Sequence, residues 1–480
     1  MLSAVSIGQA QTYSIFDLTP GSPFDETLAY GINGQGQITG TGYFSATGEL
    51  HAFIYTSGVY QDLGMFGYPY GADGDVINNS GQLAATGYGP GYNALLYSNG
   101  NARAIGSIDG GSSTGLGMNN LGDIVGRAIN GDGGGQGFSY IGGHFAALSV
   151  DKASSINDSD QYVGSLGYYW SYGGYVHGVE HAFLYSGGAT TDLGDIGGGL
   201  RTNTEAMGIN NAGQVTGYST AADGTIHAFL YTGGVMQDLG TFAPYYTYGL
   251  SINNSGQIVG SIETYVGGPV GAFLYTNGVM HNLADILDSS GAGWSQLSVR
   301  QINDSGWIVG SGTFNGNTCS FIAAPTRPLP GTGNVNLQSY SAAAVAGTPV
   351  TIEIRSPGTT TDLETDVVAL DAAGNFSFTT TLPPGSYDIA AKPSHWLRQT
   401  LSSQNLGPFG LNGLAFSLIN GDVNGDNSVS ISDFIRLKRA FGSSSGNPNW
   451  DPDSDLNGDG SVSISDFLIL KRNFGLQGDP

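Results

Sequence analysis

The fold is decided by residues 252–260, Ile-Asn-Asn-Ser-Gly-Gln-Ile-Val-Gly, a phrase that recurs with small changes through the first two-thirds of the chain. Seven copies are present, at residues 31–40, 76–83, 117–126, 155–164, 208–217, 251–260 and 301–310. Their first asparagines are separated by 45, 41, 38, 53, 43 and 50 residues, by subtraction of the positions Asn33, Asn78, Asn119, Asn157, Asn210, Asn253 and Asn303. A period in this range is typical of a β-propeller blade.

Each copy predicts four short strands. Asn and Gly accept a positive φ at low cost, so Asn-Asn-x-Gly between apolar alternations predicts a tight hairpin turn. A second phrase of the type His-Ala-Phe-Leu-Tyr follows about twenty residues later, at 51–55, 93–97, 181–185, 227–231 and 271–275. A third, Asp-Leu, begins at Asp62, Asp192 and Asp238. A sheet of four antiparallel strands in about 43 residues cannot bury both of its faces alone. Each sheet must therefore pack against its neighbours, which predicts a ring of blades.

The two ends of the repeat region complement each other. The seventh copy stops at residues 321–325 without its Asp-Leu strand, and residues 13–18, Tyr-Ser-Ile-Phe-Asp-Leu, read as an orphan strand. Pairing them would close a ring and remove two exposed sheet edges. We therefore predict a seven-bladed β-propeller over residues 12–325, its last blade closed by the N-terminal strand. The alternative, an open solenoid, predicts no such complementarity.

The phrases Gly-Ile-Asn-Asn-x-Gly-Gln and His-Ala-Phe-Leu-Tyr resemble the bacterial extracellular repeats of the HAF family. The resemblance covers about residues 12–325, with blades three and seven degenerate, since Gly137-Phe138-Ser139 and Cys319-Ser320-Phe321 replace His-Ala-Phe. Membership implies an exported or cell-surface protein and implies no particular activity.

Composition excludes several classes of protein. Gly supplies 80 of 480 residues without an every-third-residue period, which excludes collagen. The formal net charge of -24 disfavours nucleic acid and anionic membranes and favours cationic partners and calcium. No apolar run reaches the roughly 18 residues of a spanning helix, and the single Cys319 excludes a disulfide framework. Residues 1–11 are interpreted as the remnant of a signal peptide or a disordered end, with an ordinary frayed terminus as the alternative.

A second domain follows the repeats. Residues 326–333 are rich in Pro, Gly and Thr and predict a linker. Over residues 334–419, apolar and polar residues alternate between Pro-Gly and Ala-Gly turns, which predicts strands. Residues 371–378, Asp-Ala-Ala-Gly-Asn-Phe-Ser-Phe, and 382–389, Leu-Pro-Pro-Gly-Ser-Tyr-Asp-Ile, resemble the small Ig-like β-sandwich related to carboxypeptidase regulatory domains. That resemblance implies a spacer or binding role.

Two loops near the C-terminus have the spacing of a calcium-binding loop. Calcium takes six to eight hard oxygen ligands, and a twelve-residue loop supplies them from positions 1, 3, 5, 7 and 12. The first loop offers Asp422, Asn424, Asp426, the Ser428 carbonyl and Asp433; the second offers Asp455, Asn457, Asp459, the Ser461 carbonyl and Asp466. Ser430 and Ser463 stand at position 9, where a bound water is usual. We predict two calcium ions. Asx turns alone would leave the doubled spacing unexplained.

The two loops and the amphipathic stretches after them, residues 434–442 and 467–475, resemble the type I dockerin domain over about residues 420–478. The resemblance implies a small helical domain that folds with calcium and docks onto a cohesin module of a scaffold or surface protein. It also implies which residues touch the cohesin: Ile431, Ser432, Lys438 and Arg439 in the first repeat, and Ile464, Ser465, Lys471 and Arg472 in the second. The isoleucines depart from the small polar residue frequent in the family, and the near duplication implies that either helix could dock.

Other polar residues are interpreted as structural. The recurrent His51, His181 and His227 would lie around a ring and could not easily converge on a metal. Asp17, Asp62, Asp192 and Asp238 suit strand-end turns. Asp123, Asp158, Asp160 and Asp304 are interpreted as turn residues, and Cys319 as a small buried residue. The Tyr-rich inserts at 68–70, 168–172 and 245–248 could stack on sugars, bind peptides or pack between blades.

We predict an exported, non-catalytic binding protein whose dockerin attaches it to a cohesin-bearing scaffold, with a link to polysaccharide binding or breakdown. No catalytic residue is assigned. The alternative is a polysaccharide-degrading enzyme, a glycoside hydrolase or lyase acting on O-glycosyl bonds, with the propeller as its catalytic module. Such an enzyme needs two carboxylates about 5–10 Å apart in one cleft. A purely structural surface protein would bind no soluble ligand.

Overall fold

A computed structural model describes residues 11–129, 134–172, 175–197, 203–383 and 385–480, with side chains described outside 168–177. The predicted signal-peptide remnant lies almost wholly outside the described residues. The chain divides into two compact units, Met1–Thr326 and Arg327–Pro480. No helix among the described residues is long and apolar enough to span a membrane.

The first unit consists of seven four-stranded antiparallel sheets. Blades 1 to 3 contain β2 (Glu26–Ile32), β3 (Ile38–Phe44), β4 (Glu49–Thr56), β5 (Val59–Gly64); β6 (Gly71–Ile77), β7 (Leu83–Tyr88), β8 (Tyr92–Ser98), β9 (Asn101–Ala104); and β10 (Ser113–Met118), β11 (Ile124–Ile129), β12 (Gly135–Ile141), β13 (His144–Ala147). Blades 4 to 6 contain β14 (Lys152–Ile156), β15 (Tyr162–Tyr172), β16 (Tyr175–Ser186), β17 (Ala189–Asp192); β18 (Thr204–Ile209), β19 (Val215–Thr220), β20 (Ile226–Thr232), β21 (Val235–Asp238); and β22 (Tyr246–Ile252), β23 (Ile258–Glu263), β24 (Pro269–Thr276), β25 (Val279–Asn282). Blade 7 contains β26 (Trp294–Ile302), β27 (Ile308–Phe314), β28 (Asn317–Pro325) and the N-terminal β1 (Tyr13–Asp17).

The N-terminal strand closes the ring, as predicted. β1 pairs antiparallel with β28, from Tyr13 opposite Pro325 to Asp17 opposite Phe321. Tyr13 and Ile15 are buried in the apolar cluster of blade 7. The chain therefore supplies the fourth strand of its last blade from the other terminus, and the seven-bladed propeller is confirmed.

The repeated glycine and phenylalanine are packing partners. The phenylalanine of the second phrase is fully buried in six blades, as Phe53, Phe138, Phe183, Phe229, Phe273 and Phe321. In blade 6, a Cβ added to Gly260 would lie 1.9 Å from the Tyr248 carbonyl oxygen and 2.5 Å from the Phe273 ring. Because even an alanine would clash there, Gly260 is required by close approach, whereas blade 2 pairs Ala85 with the smaller Leu95.

The repeated first asparagines form a closed ring of hydrogen bonds. Each Nδ2 donates to the backbone carbonyl of the equivalent asparagine in the next blade, at 2.9–3.2 Å, in the order Asn33, Asn78, Asn119, Asn157, Asn210, Asn253, Asn303 and back to Asn33. All seven are at most 6% exposed. We call this set the inner asparagine ring. It explains why each turn needs asparagine: the side chain also caps its own turn by accepting from the amides two and four residues later, as Asn253 does from Ser255 and Gln257.

The second unit contains two further sheets and three α-helices. One sheet has the order β32 (Asn375–Thr380), β29 (Leu329–Leu337), β35 (Leu411–Leu418); the other has β31 (Asp362–Ala369), β30 (Pro349–Arg355), β33 (Gly385–Lys392), β34 (Gln399–Leu406). The helices are α1 (Ala342–Val345), α2 (Ile431–Ala440) and α3 (Ile464–Asn473), and 3₁₀ turns lie at Leu283–Ile286, Ser289–Gly291 and Pro452–Ser454.

The predicted linker at 326–333 differs from the structure. β29 starts at Leu329, pairs antiparallel with β32 and parallel with β35, and places Leu329 and Val335 in the interior. Its Pro and Gly residues suggested a flexible segment, but Pro330 and Gly331 lie within a paired strand. The sheets and the C-terminal helices lie within the same compact unit, Arg327–Pro480. For example, Asn420 Nδ2 donates to the Gln338 and Leu456 carbonyls.

Candidate calcium and docking site

The first predicted calcium loop is wrapped around its own carboxylates. Asp426 Oδ1 accepts from the Ser428 amide and hydroxyl at 3.0 and 2.7 Å, and Asp433 Oδ1 accepts from the Asn424 amide at 3.0 Å. Asn424 Nδ2 donates to Asp426 Oδ2 at 2.8 Å. Asn427, at the turn, has a φ of 68°. The side chains at positions 1 and 12, Asp422 and Asp433, are fully buried.

The second loop repeats this arrangement. Asp459 Oδ1 accepts from the Ser461 amide and hydroxyl at 2.9 and 2.7 Å, and Asp466 Oδ1 accepts from the Asn457 amide at 3.1 Å. Asp455 accepts from the Gly460 amide at 2.8 Å. Burial raises the pKa of the Asp455 carboxyl, and the neighbouring charges of Asp466 and Asp459 raise it further. The loop therefore concentrates negative charge that a cation would neutralise.

The donor set fits calcium. It consists of carboxylate, amide and carbonyl oxygens in both loops, the ligands that this ion prefers. Asp422 Oδ1 is buried and has no hydrogen-bond partner, which is the state expected of an atom whose partner is a metal. Within the described parts of the chain, no three carboxylate, imidazole or thiol groups already converge as a metal cage. The ligand identities therefore remain predictions from loop spacing and donor chemistry.

One side chain near the first loop was missed by the sequence. Lys392, at the end of β33, places its Nζ 2.6 Å from Asp422 Oδ2, and the Asn427 amide donates to the same oxygen at 2.9 Å. Lys392 also donates to the Trp396 carbonyl. The lysine thus links the sandwich to position 1 of the first loop. Lys392 lies 30 residues away on a different element, so loop spacing gives no signal for it.

The position-12 carboxylates also begin the helices. Asp433 Oδ2 accepts from the Ser430 amide at 2.8 Å, and Asp466 Oδ2 accepts from the Ser463 amide at 2.8 Å. Both pairs are complete capping boxes at the starts of α2 and α3. Because one carboxylate serves both loop and helix, a change at either loop is transmitted directly to the helix that follows it.

All eight residues predicted to contact cohesin are exposed on α2 and α3: Ile431, Ser432, Lys438, Arg439, Ile464, Ser465, Lys471 and Arg472. Large apolar side chains that the sequence reasoning left out are exposed beside them: Ile435 (46%), Phe441 (50%), Leu468 (54%) and Phe474 (53%). Between the helices, the Phe434 and Phe467 rings lie 5.8 Å apart. We call the exposed side chains of residues 431–441 and 464–474 the docking face. Its apolar residues are matched between the two repeats, and that duplication could have identified them.

One difference between the two repeats changes how their helices are held. Arg436 on α2 donates to both oxygens of Asp451 at 2.8 and 2.9 Å, to Asp453 at 2.7 Å and to the Val423 carbonyl. Its counterpart on α3 is Ile469, which packs against the apolar core of the helices. The helices are therefore similar in their exposed residues and different in how they are held.

The weaker candidates have structural partners. His51, His181 and His227 each place Nδ1 2.8–2.9 Å from an aspartate of the same blade, Asp62, Asp192 and Asp238 respectively. The three histidines lie in separate blades, each beside its own aspartate. Each of these aspartates also accepts from a turn amide two residues later.

The turn aspartates join neighbouring blades. Asp158 accepts from Asn120 and Asn211, and these bonds lower its pKa although burial alone raises it. Asp304 accepts from the Asn254 amide and side chain at 2.8 Å. Asp160 accepts from Asn119. Burial and the charge of Asp123 raise the Asp160 pKa.

Cys319 and the Tyr-rich inserts have different surroundings. Cys319 is buried, and burial raises the pKa of its thiol, which disfavours a nucleophilic role. Tyr68 packs against Gly87, whereas Tyr70 is 63% exposed. The side chains of the insert at 168–172 lie outside the described residues.

Structural comparison finds several solved proteins with partial similarity. The type II cohesin–X–dockerin complex from Acetivibrio cellulolyticus aligns with 31% of this chain and 97% of that one, at 22% identity and a TM-score of 0.26. The β-propeller domain of the trilobed protease from Pyrococcus furiosus aligns with 64% of this chain and 95% of that one, at 8% identity and a TM-score of 0.44. An acylaminoacyl peptidase from Pyrococcus horikoshii aligns with 61% of this chain and 52% of that one, at 11% identity and a TM-score of 0.39.

Comparison of the sequence with curated proteins finds no significant match. Comparison with protein-family models does find one. Residues 420–475 match the family of the dockerin type I domain, a class of domain that generally binds calcium.

Proposed function

We propose that this protein is an exported, cohesin-docking protein whose dockerin folds around two calcium ions and displays the propeller as a non-catalytic binding module. The observation that carries the proposal is the dockerin match at 420–475, together with the duplicated loops and the duplicated exposed residues of the docking face. Export fits a domain class that occurs in secreted and cell-surface proteins. The calcium ligands are the ten loop residues named above.

The docking face has the chemistry of a protein interface. Exposed isoleucine, leucine and phenylalanine side chains surround the Phe434–Phe467 pair, and basic pairs lie at the ends of both helices. Apolar patches rimmed by charged residues are typical of protein-binding surfaces. Because each helix offers the same set, we propose that a cohesin can be bound in either of two orientations.

Binding of a type I cohesin panel by the full chain tests the docking proposal. Two variants each reverse one basic pair, Lys438→Glu with Arg439→Glu, and Lys471→Glu with Arg472→Glu. Each variant alone should bind within a few-fold of the unmodified chain, while their combination should bind at least 100-fold more weakly. Chelator should abolish binding. Retention of binding by the combined variant would place the interface elsewhere.

The non-catalytic role of the propeller is supported by the engagement of its turn aspartates. Asp158 and Asp304 line the central cavity, but their carboxylate oxygens are engaged as acceptors for asparagines of neighbouring blades. The link to polysaccharides is tested by incubating the full chain with plant and microbial polysaccharides and measuring new reducing ends. No release above a heat-killed control is expected. Release would establish the glycoside hydrolase or lyase alternative.

A further inference from the structure

One residue in the first strand of every blade departs from the regular pairing. The register between first and second strands shifts at the same place seven times, so that a single residue bulges out of the ladder. These bulged residues are Tyr30, Asp75, Leu116, Ser154, Met207, Leu250 and Arg300. All seven line one central cavity of about 530 Å³. Bulges commonly re-aim a side chain toward a functional site.

The bulge position breaks the repeat. The residues before it are small, being Ala, Gly or Val in every blade, and the turn after it is nearly constant. The bulged residue itself is of six different types in the seven blades, with leucine in two of them, and the set includes one aspartate, one arginine and one tyrosine. A residue that varies while its flanks stay constant is not needed for ring closure. The variation therefore gives the cavity an asymmetric lining.

The two charged bulge residues lie on either side of blade 1, whose bulged residue is Tyr30. Arg300 of blade 7 lies 5.6 Å from the centre of the Tyr30 ring in blade 1, and Tyr30 lies within electrostatic range of Asp75 and Asp73 in blade 2. Among the ion pairs formed by the described residues, none includes Arg300, Asp73 or Asp75. The cavity thus places the Arg300 guanidinium on one side of the Tyr30 ring and the Asp73 and Asp75 carboxyls on the other, and the Asp158 and Asp304 carboxyls also belong to its lining.

The aspartates are held by neutral donors. Asp73 accepts from the Thr41 and Tyr88 hydroxyls, and Asp75 Oδ2 accepts from Thr86 at 2.6 Å. Burial, and then the charge of Asp73, raise the pKa of Asp75 to about 8, so without a positive partner this carboxyl is mostly protonated at neutral pH. An ammonium group would supply that partner.

Three of the four remaining bulged residues are apolar, and the fourth, in blade 4, is Ser154. Leu116, Met207 and Leu250 are the bulged residues of blades 3, 5 and 6, and each is partly exposed to the cavity. The volume lies in the range of small-molecule pockets.

From this arrangement we infer that the central cavity binds a small zwitterionic peptide, with its ammonium toward Asp73 and Asp75, its carboxylate toward Arg300, and an apolar side chain toward Leu116, Met207 and Leu250. Arginine pairs well with carboxylates because its guanidinium offers paired donors. The site lies in the propeller and extends the proposed function, which rests on the dockerin. Loss of cohesin binding would leave this site unaffected.

Calorimetric titration of the full chain with the dipeptide L-leucyl-L-leucine tests the site. Saturable binding is expected below about 1 mM. Arg300→Gln and Asp75→Asn should each weaken it at least 10-fold. Arg103→Gln is the matched control, because Arg103 is an exposed residue of β9 outside the cavity, and it should leave the affinity unchanged.

Modified ligands separate the two charges. N-acetyl-leucyl-leucine lacks the ammonium and leucyl-leucinamide lacks the carboxylate, so both should bind at least 10-fold more weakly than the dipeptide. Absence of dipeptide binding up to about 10 mM, equal binding of the acetylated compound, or unchanged affinity of a correctly folded Arg300→Gln variant would overturn the inference. Preferential binding of a neutral oligosaccharide such as cellohexaose would overturn it too.

Discussion

Replacing Asn253 by aspartate tests how much the inner asparagine ring contributes to the propeller. The Asn253 side chain makes four hydrogen bonds while only 3% exposed. Its Nδ2 donates to Gln257 Oε1 at 2.8 Å and to the Asn303 carbonyl at 2.9 Å, and its Oδ1 accepts from two turn amides. Aspartate has the same shape and keeps the two accepted bonds. The two donated bonds become contacts between oxygens.

The expected cost follows from those two lost donors. A buried acceptor left without a donor costs about 1–3 kcal/mol, so the variant should lose about 2–6 kcal/mol of propeller stability. The unfolding entropy is about 2.1 cal/mol/K per residue, so a unit of this size loses roughly 1.5 °C per kcal/mol. The transition of the propeller should therefore fall by about 3–9 °C.

Differential scanning calorimetry of the full chain measures this shift. Adding calcium should raise the melting temperature of the second unit only, so the transition that does not move with calcium belongs to the propeller. Asn101→Asp is the matched control: Asn101 is exposed on β9 and donates only to the Asn99 carbonyl. The control should change the propeller transition by less than about 1 °C. A shift for Asn253→Asp as small as that of the control would refute the idea that the ring is energetically important.

Four further outcomes are expected. Chelation of calcium should melt α2 and α3 and leave the propeller transition unchanged; an unchanged far-ultraviolet circular dichroism spectrum would contradict the calcium assignment. Deletion of residues 1–20 removes the buried Tyr13, Ile15, Phe16 and Leu18 and should cost the propeller about 6–12 kcal/mol; an unaltered melting temperature would argue against closure by β1. Lys392→Met leaves Asp422 buried without its partner, which typically costs about 3–5 kcal/mol, and calcium should offset part of that loss. The calcium-induced rise in the melting temperature of the second unit should then be larger than in the unmodified chain, whereas the exposed Lys438→Met should show no such increase. Because the folded pKa of Asp75 is raised to about 8, propeller stability should fall as pH rises from about 4 to 8. In Asp75→Asn this fall should be smaller. Identical pH profiles for the variant and the unmodified chain would contradict the raised pKa of Asp75.

The repeat made the propeller predictable from sequence. Seven copies of one turn, and a missing strand at one end matched by an orphan at the other, define blade number and closure before any packing is known. The start of β29 was mispredicted because local Pro and Gly content opposes a strand there, whereas pairing with β32 and β35 stabilises one. Tertiary pairing overrode the local preference.

The central cavity was missed for a different reason. The repeat identifies positions that recur from blade to blade, and the bulged residues are those that do not recur. Alignment of the seven copies would have marked Asp75 and Arg300 as departures, although their convergence requires the ring. Lys392 gave no signal of either kind, since only the fold brings it to Asp422.

The pairing of β1 with β28 has a mechanical consequence. The chain leaves the propeller at the end of β28, where the Thr326 amide also donates to the Thr12 carbonyl at 2.8 Å. A pull applied through the second unit therefore acts along β28, which lies between β1 and β27. Such a load shears two ladders of hydrogen bonds together instead of opening them one by one. The N-terminal strand thus reinforces the attachment point at which tension would enter the propeller.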